Sequence, residues 1–185
     1  MTDVMMDSLF DEPTPALPHL AGEFLLWLWW TSERQSGHLD LGEPLGATDL
    51  WMDTRLAFRA PGEGKAAAVL TGENPSTALE ARAALVGGKV VQEVRMGLRH
   101  EEKEFFVTLK SPNLDLAGVK LPQVVKGTGE EALYDRMFLY EELVALIWAL
   151  FGRFAQIRAD SAWQERILPE LETWVLRSRG EGAEE

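Results

Sequence analysis

Val90 to Lys110 read VVQEVRMGLRHEEKEFFVTLK, and this stretch decides the fold class. Val90, Val94, Met96 and Leu98 fall on one side of an extended chain, while Glu93, Arg95 and Arg99 fall on the other. His100-Glu101-Glu102 is a polar turn, after which Phe105, Val107 and Leu109 alternate with Glu104, Thr108 and Lys110. Two alternating runs across a short polar turn predict neighbouring strands with one buried face.

Downstream, Leu114 to Leu121 reads as a further strand whose apolar parity changes around Gly118, the mark of a bulge, and Pro122 ends it. A helix follows from about Glu131 to Ile157. Leu133, Met137, Tyr140, Val144, Ile147 and Phe151 recur at alternating spacings of four and three, continued by Phe154. Leu139, Leu143, Leu146 and Leu150 form a second apolar face, with Trp148 between the two. A helix apolar on so many sides needs more than one neighbour, so it is the central core helix, or one face meets another subunit, or both. Ser161 and Gln164 have capping-box spacing for a last helix with Trp163, Ile167, Leu171 and Trp174 inward, which Pro169 kinks or restarts.

Upstream, Asn74 and Pro75 open a short helix with Leu79, Ala83 and Val86 as its buried stripe, stopped by Gly87-Gly88. Leu50-Trp51-Met52 and Leu56-Ala57-Phe58 flank Asp53-Thr54-Arg55 and read as a tight hairpin. Lys65 to Leu70 is a third strand, entered through Pro61-Gly62-Glu63-Gly64. The first helix is expected from about Leu20 to Gln35, with Phe24, Leu28, Trp27 and Trp30 on a broad apolar face, and Gly37 ends it. Its tryptophans invite a base-stacking or membrane-surface reading, but no Lys or Arg stripe accompanies them, and a core helix is favoured. The fold class is α+β, mostly antiparallel strands packed with a long C-terminal helix and flanking helices. Residues 19–179 form one domain, with a mobile acidic arm over 1–18 and an acidic tail over 180–185. Val4-Met5-Met6 and Leu9-Phe10 in the arm are apolar residues set among acids; such a segment can dock on a protein partner or a neighbouring subunit, but an inert tail is favoured.

Composition bounds the function. The chain of 185 residues, 46% apolar and 26% charged, is long enough to bury a core. It has no cysteine, which removes thiolate nucleophiles, disulfides and Cys-based metal sites. That, with no targeting signal at the start, points to the cytoplasm. Phe24 to Trp30 is too short to span a bilayer, so no membrane association is expected. The net charge of −12 opposes indiscriminate binding to phosphates.

No catalytic constellation is visible. His19, His38 and His100 each read as surface residues, and none lies in a motif that sets it beside a serine. No pair of histidines has metal-ligand spacing, and Gly62-Glu63-Gly64-Lys65 lacks the length and following helix of a phosphate loop. Glu141-Glu142 is not distinguished from a solvated helix face. Neither a cofactor nor an enzymatic activity is expected.

The order of features from Glu73 onward resembles the recombination-associated RdgC family. The segments that carry the resemblance are Pro75 to Glu80, Gly88-Lys89-Val90-Val91, the strand through Met96 and Leu98, Glu104 to Leu109, Leu114 to Leu121, and Met137 to Ile147. Glu23 to Ser36 is similar to the family's Trp-containing segment, and the whole covers roughly Leu20 to Phe154, matching only the second half of family members. The resemblance implies a non-enzymatic, DNA-associated protein that assembles from dimers into rings around duplex DNA, located at the nucleoid. The residues placed to contact DNA are then Arg82, Lys89, Arg95, Arg99, Lys103, Lys110 and Lys120, with Lys126 beside them. Leu133, Met137, Tyr140, Val144, Ile147 and Phe151 are placed at an oligomer interface. The alternative is an acidic protein–protein assembly module that has the fold without the DNA surface.

Overall fold

A computed structural model describes residues 16–60, 66–77, 79–123 and 128–177. The α+β class is observed: six antiparallel strands form one sheet, with helices gathered on its inward face. In chain order the elements are α1 (Ala16–Ser32), β1 (His38–Asp40), β2 (Ala47–Arg59), β3 (Ala66–Thr71), α2 (Leu79–Val86), β4 (Val90–His100), β5 (Lys103–Lys110), β6 (Asp115–Lys120), α3 (Glu130–Ala159) and α4 (Leu168–Arg177). The sheet order is β1-β2-β4-β5-β6, and β3 shares the β1 edge of β2 at that strand's other end.

The β4–β5 hairpin is the centre of the sheet. Met96 stands opposite Val107 and Leu98 opposite Phe105, and all four are buried. Glu101 and Glu102 turn the corner with φ of 45° and 65°, the two left-handed residues that a two-residue hairpin loop requires. The bulge expected on β6 is present: the register with β5 slips between Ala117 and Lys120, and Gly118 has φ of 55°.

Three local expectations are corrected. Asp53-Thr54-Arg55 makes no hairpin, because β2 is one strand of 13 residues with an irregularity against β4 between Met52 and Leu56. The physical reason is parity. Leu50, Met52, Leu56 and Phe58 share one face, so a single strand buries all four, while Asp53 and Arg55 project outward to ionic partners. On α2 the buried residues are Ala81, Ala84 and Leu85, while Leu79 and Ala83 are exposed and Val86 is half-buried. An eight-residue helix with apolar residues at six positions gives no decisive period, and here the small Ala81 and Ala84 turn inward. The α3–α4 corner is capped by Asp160, whose Oδ1 accepts the Ala162 N–H at 2.8 Å, in place of the Ser161–Gln164 box. A π turn over Trp163–Ile167 then leads into α4, which restarts around Pro169 as expected.

The first helix starts at Ala16, so the last three residues assigned to the arm are helical. Residues 1–15, the Pro61–Lys65 connection, Lys126 and the tail lie outside the described residues. All seven residues from Phe24 to Trp30 are buried, which makes α1 the helix enclosed by the rest of the fold. Phe24 stacks edge-on to Phe151 at 5.2 Å, and Trp27 and Trp163 both meet Phe154. Leu139, Leu143, Leu146, Leu150 and Phe154 form the inward stripe of α3. Among the described residues no helix is long and apolar enough to cross a membrane.

Candidate functional site

The outward face of the sheet carries much of the basic set, arranged in rows across the strands. In one row Asp49, Arg99 and Glu104 stand side by side on β2, β4 and β5. The Arg99 guanidinium donates to Glu104 at 2.7 Å, which holds it still further in its charged form, and it lies 5.6 Å over the Trp51 ring. In the next row Trp51 covers Gly97 and meets Phe106 edge-on at 5.8 Å. In a third, Arg95 donates to Asp53 at 2.8 Å, to Thr108 at 3.2 Å and to the Gly118 carbonyl at 3.1 Å. In the last, Glu93 accepts from Arg55 at 2.6 Å and lies 3.9 Å from the Lys110 amine. Cationic and anionic groups therefore alternate across this face, and Arg95 is a brace joining β2, β4, β5 and β6.

Arg82 lies elsewhere, on α2. Its guanidinium reaches Glu33 at 2.6 Å and the Trp174 carbonyl at 3.1 Å, and sits 4.6 Å over the Trp174 ring. Glu33 also accepts the indole N–H groups of Trp29 and Trp174, each at 2.8 Å, so this carboxylate ties α1 to α2 and α4. Lys89 and Lys120 have no ion-pair partner among the described residues.

Lys103 belongs to a third group. Its amine donates to both oxygens of Glu142 at 2.8 Å, fastening the hairpin corner to α3, and lies 3.6 Å from Glu101. The Glu142 hydrogen bond raises the Lys103 pKa above the usual amine value, against the opposing effect of burial. His100, expected at the surface, is buried beneath this corner, because inward parity on β4 continues through it. Its Nδ1 faces the Ala47 carbonyl at 3.3 Å and Thr48 at 3.2 Å, and its Nε2 lies 4.0 Å from Glu142. His100, Glu101 and Glu142 each bring one donor atom within 4.8 Å of the others, but the Lys103 ammonium already pairs with both carboxylates there. His38 is exposed beside Asp49, and the side chain of His19 lies outside the described set.

The remaining feature is the outer side of α3. Leu133, Tyr134, Met137, Phe138, Tyr140 and Trp148 are between 43% and 67% exposed, all within the first two-thirds of this one helix. Leu133, Met137, Val144, Trp148 and Ala155 lie on one stripe, about 120° around the helix from the buried stripe through Leu143 and Leu150. The expected interface set is thereby divided. Leu133, Met137 and Tyr140 are exposed, Val144 and Phe151 are half-buried, and Ile147 belongs to the core. Tyr134, Phe138 and Trp148 were absent from that set, and a helical wheel through Met137 and Trp148 finds them. The other exposed large hydrophobic side chains are single ones on their elements, Val69 on β3, Leu79 on α2 and Leu176 on α4.

Comparison with protein-family models, with curated proteins and with solved structures gives no match.

Proposed function

We propose that this chain is an acidic association module that works by docking onto protein through the outward stripe of α3. One observation carries the reading: a 30-residue helix buries one face in the core and presents six large apolar side chains on its other sides. Leaving a Phe or Trp side chain in water forgoes about 2 kcal/mol relative to burying it, and contiguous patches of this kind mark interaction surfaces. The DNA-associated reading implied by the family resemblance asks for a cationic face. Arg82, Arg95, Arg99, Lys103 and Lys110 each stand beside a carboxylate, which favours association with protein over association with phosphates.

The test is site-specific photo-crosslinking in cells that make the protein, with a benzophenone amino acid in place of Trp148. The same substitution at Leu79, 64% exposed but the single exposed large hydrophobic on α2, is the control. A discrete protein adduct from position 148 and none from position 79 is expected. No adduct at 148, or equal adducts at both, would overturn the reading.

A further inference from the structure

We infer that the occupant of the α3 stripe is a second copy of this chain, lying antiparallel across a two-fold axis near Val144 and Ala145. The inference rests on the association reading and names its partner. Side-chain size changes along the stripe. Its N-terminal end carries Leu133, Tyr134 and Met137, its middle Val144 and Trp148, and its C-terminal end Gly152, Ala155 and Ala159. Reversing the helix about that midpoint sets Met137 against Gly152 and Tyr134 against Ala155. Bulk then meets space at both ends, which is the self-complementarity a two-fold interface requires. A parallel pair would crowd the large residues together and leave a gap between the small ones.

Charge selects the same arrangement. The acids on the stripe are Glu130 and Glu141. In a parallel pair each would face its own copy, whereas reversal places them against Ala159 and Trp148. Gly152 supplies a third, separate reason. A glycine in a helix interior is destabilising relative to alanine, and a Cβ built there meets nothing within 4 Å, so packing within the chain does not call for it. A second helix approaching at this point does call for it, since interaxial distance follows side-chain size at the contact.

The chain has no cysteine, so single cysteines report proximity without background. Under mild oxidation Ala145→Cys, beside the axis, is expected to form a homodimer, and Tyr134→Cys is expected to link to Ala155→Cys when the two are mixed but not to itself. Self-linking of Tyr134→Cys would overturn the antiparallel arrangement. A Cβ at position 152 has nothing within 4 Å, so Gly152→Leu is expected to keep the wild-type circular dichroism while weakening the dimer at least about tenfold in sedimentation. An unchanged dimer in that variant would overturn the placement. A wild-type chain that sediments at the 20.7 kDa monomer mass at every concentration overturns the second-copy inference. The association reading is judged separately: an adduct at position 148 that is not twice the chain mass would sustain it with another partner, and no adduct would end both.

Discussion

Gly97 sits at the centre of β4 with the indole of Trp51 lying where a side chain would be. A Cβ there would come within 2.2 Å of the Trp51 ring, which is itself held edge-on by Phe106. Gly97→Ala must push the indole off the strand, and overpacking of this sort costs about 1–3 kcal/mol. The cost should appear as a lower denaturant midpoint, and it should largely vanish in a Trp51→Ala background, where the methyl group has room. A penalty that persisted without Trp51 would place its cause in the backbone of β4. Neither the contact nor the close approach was legible in the sequence, since Trp51 and Gly97 lie on different strands and only register joins them. The same limit hid the partners of Arg95. Strand parity placed its side chain outward, as found, but the carboxylate of Asp53 comes from a segment that reads as a turn when taken alone.

Elements were read well where a pattern was long or repeated. The β4–β5 hairpin and α3 were legible because alternation and helical period each persist over many residues, and the Gly118 bulge was legible because parity visibly breaks. Short α2 and the polar triplet inside β2 were misread because three or four residues fit more than one period. The burial of His100 was missed because a residue next to a turn was assigned to the turn. How α3 is fastened to the sheet belongs to this scale. Lys103 on β5 grips Glu142 on α3, with Glu101 and His100 alongside, and its pKa is raised mainly by the Glu142 hydrogen bond. A lysine whose folded pKa exceeds its unfolded value contributes stability fully below the unfolded value, about 10.4, and loses it as pH rises through the folded one. The urea midpoint of the wild type should therefore fall above roughly pH 10.4, and Lys103→Met should flatten that fall while lowering the midpoint at neutral pH. Equal alkaline slopes in both proteins would show that the Lys103–Glu142 contact does not help to hold α3.

At the scale of the whole molecule, charge and the apolar stripe act against each other. Two copies carrying −12 each repel, and the repulsion is long-ranged at low salt, where the screening length is about 30 Å at 0.01 M against about 8 Å at 0.15 M. Association through an apolar face is not weakened by screening, so adding salt removes the opposing force and leaves the attraction. Self-association should tighten as salt is raised across this range, read as a falling dimer dissociation constant in sedimentation. Binding through phosphate contacts has the opposite sign, because each contact releases a counterion and loses affinity as salt rises. One protein sample can therefore be titrated twice, by sedimentation and by anisotropy of a labelled duplex, at the same two salt concentrations. A dimer that strengthens with salt, alongside a duplex that stays unbound, is the result that the paired arginines and the open α3 face lead us to expect. Duplex binding that weakens steeply with salt would instead return the DNA-associated reading to first place. Its slope would count the phosphates engaged, and Lys89 and Lys120, which have no carboxylate partner among the described residues, would be the first positions to substitute.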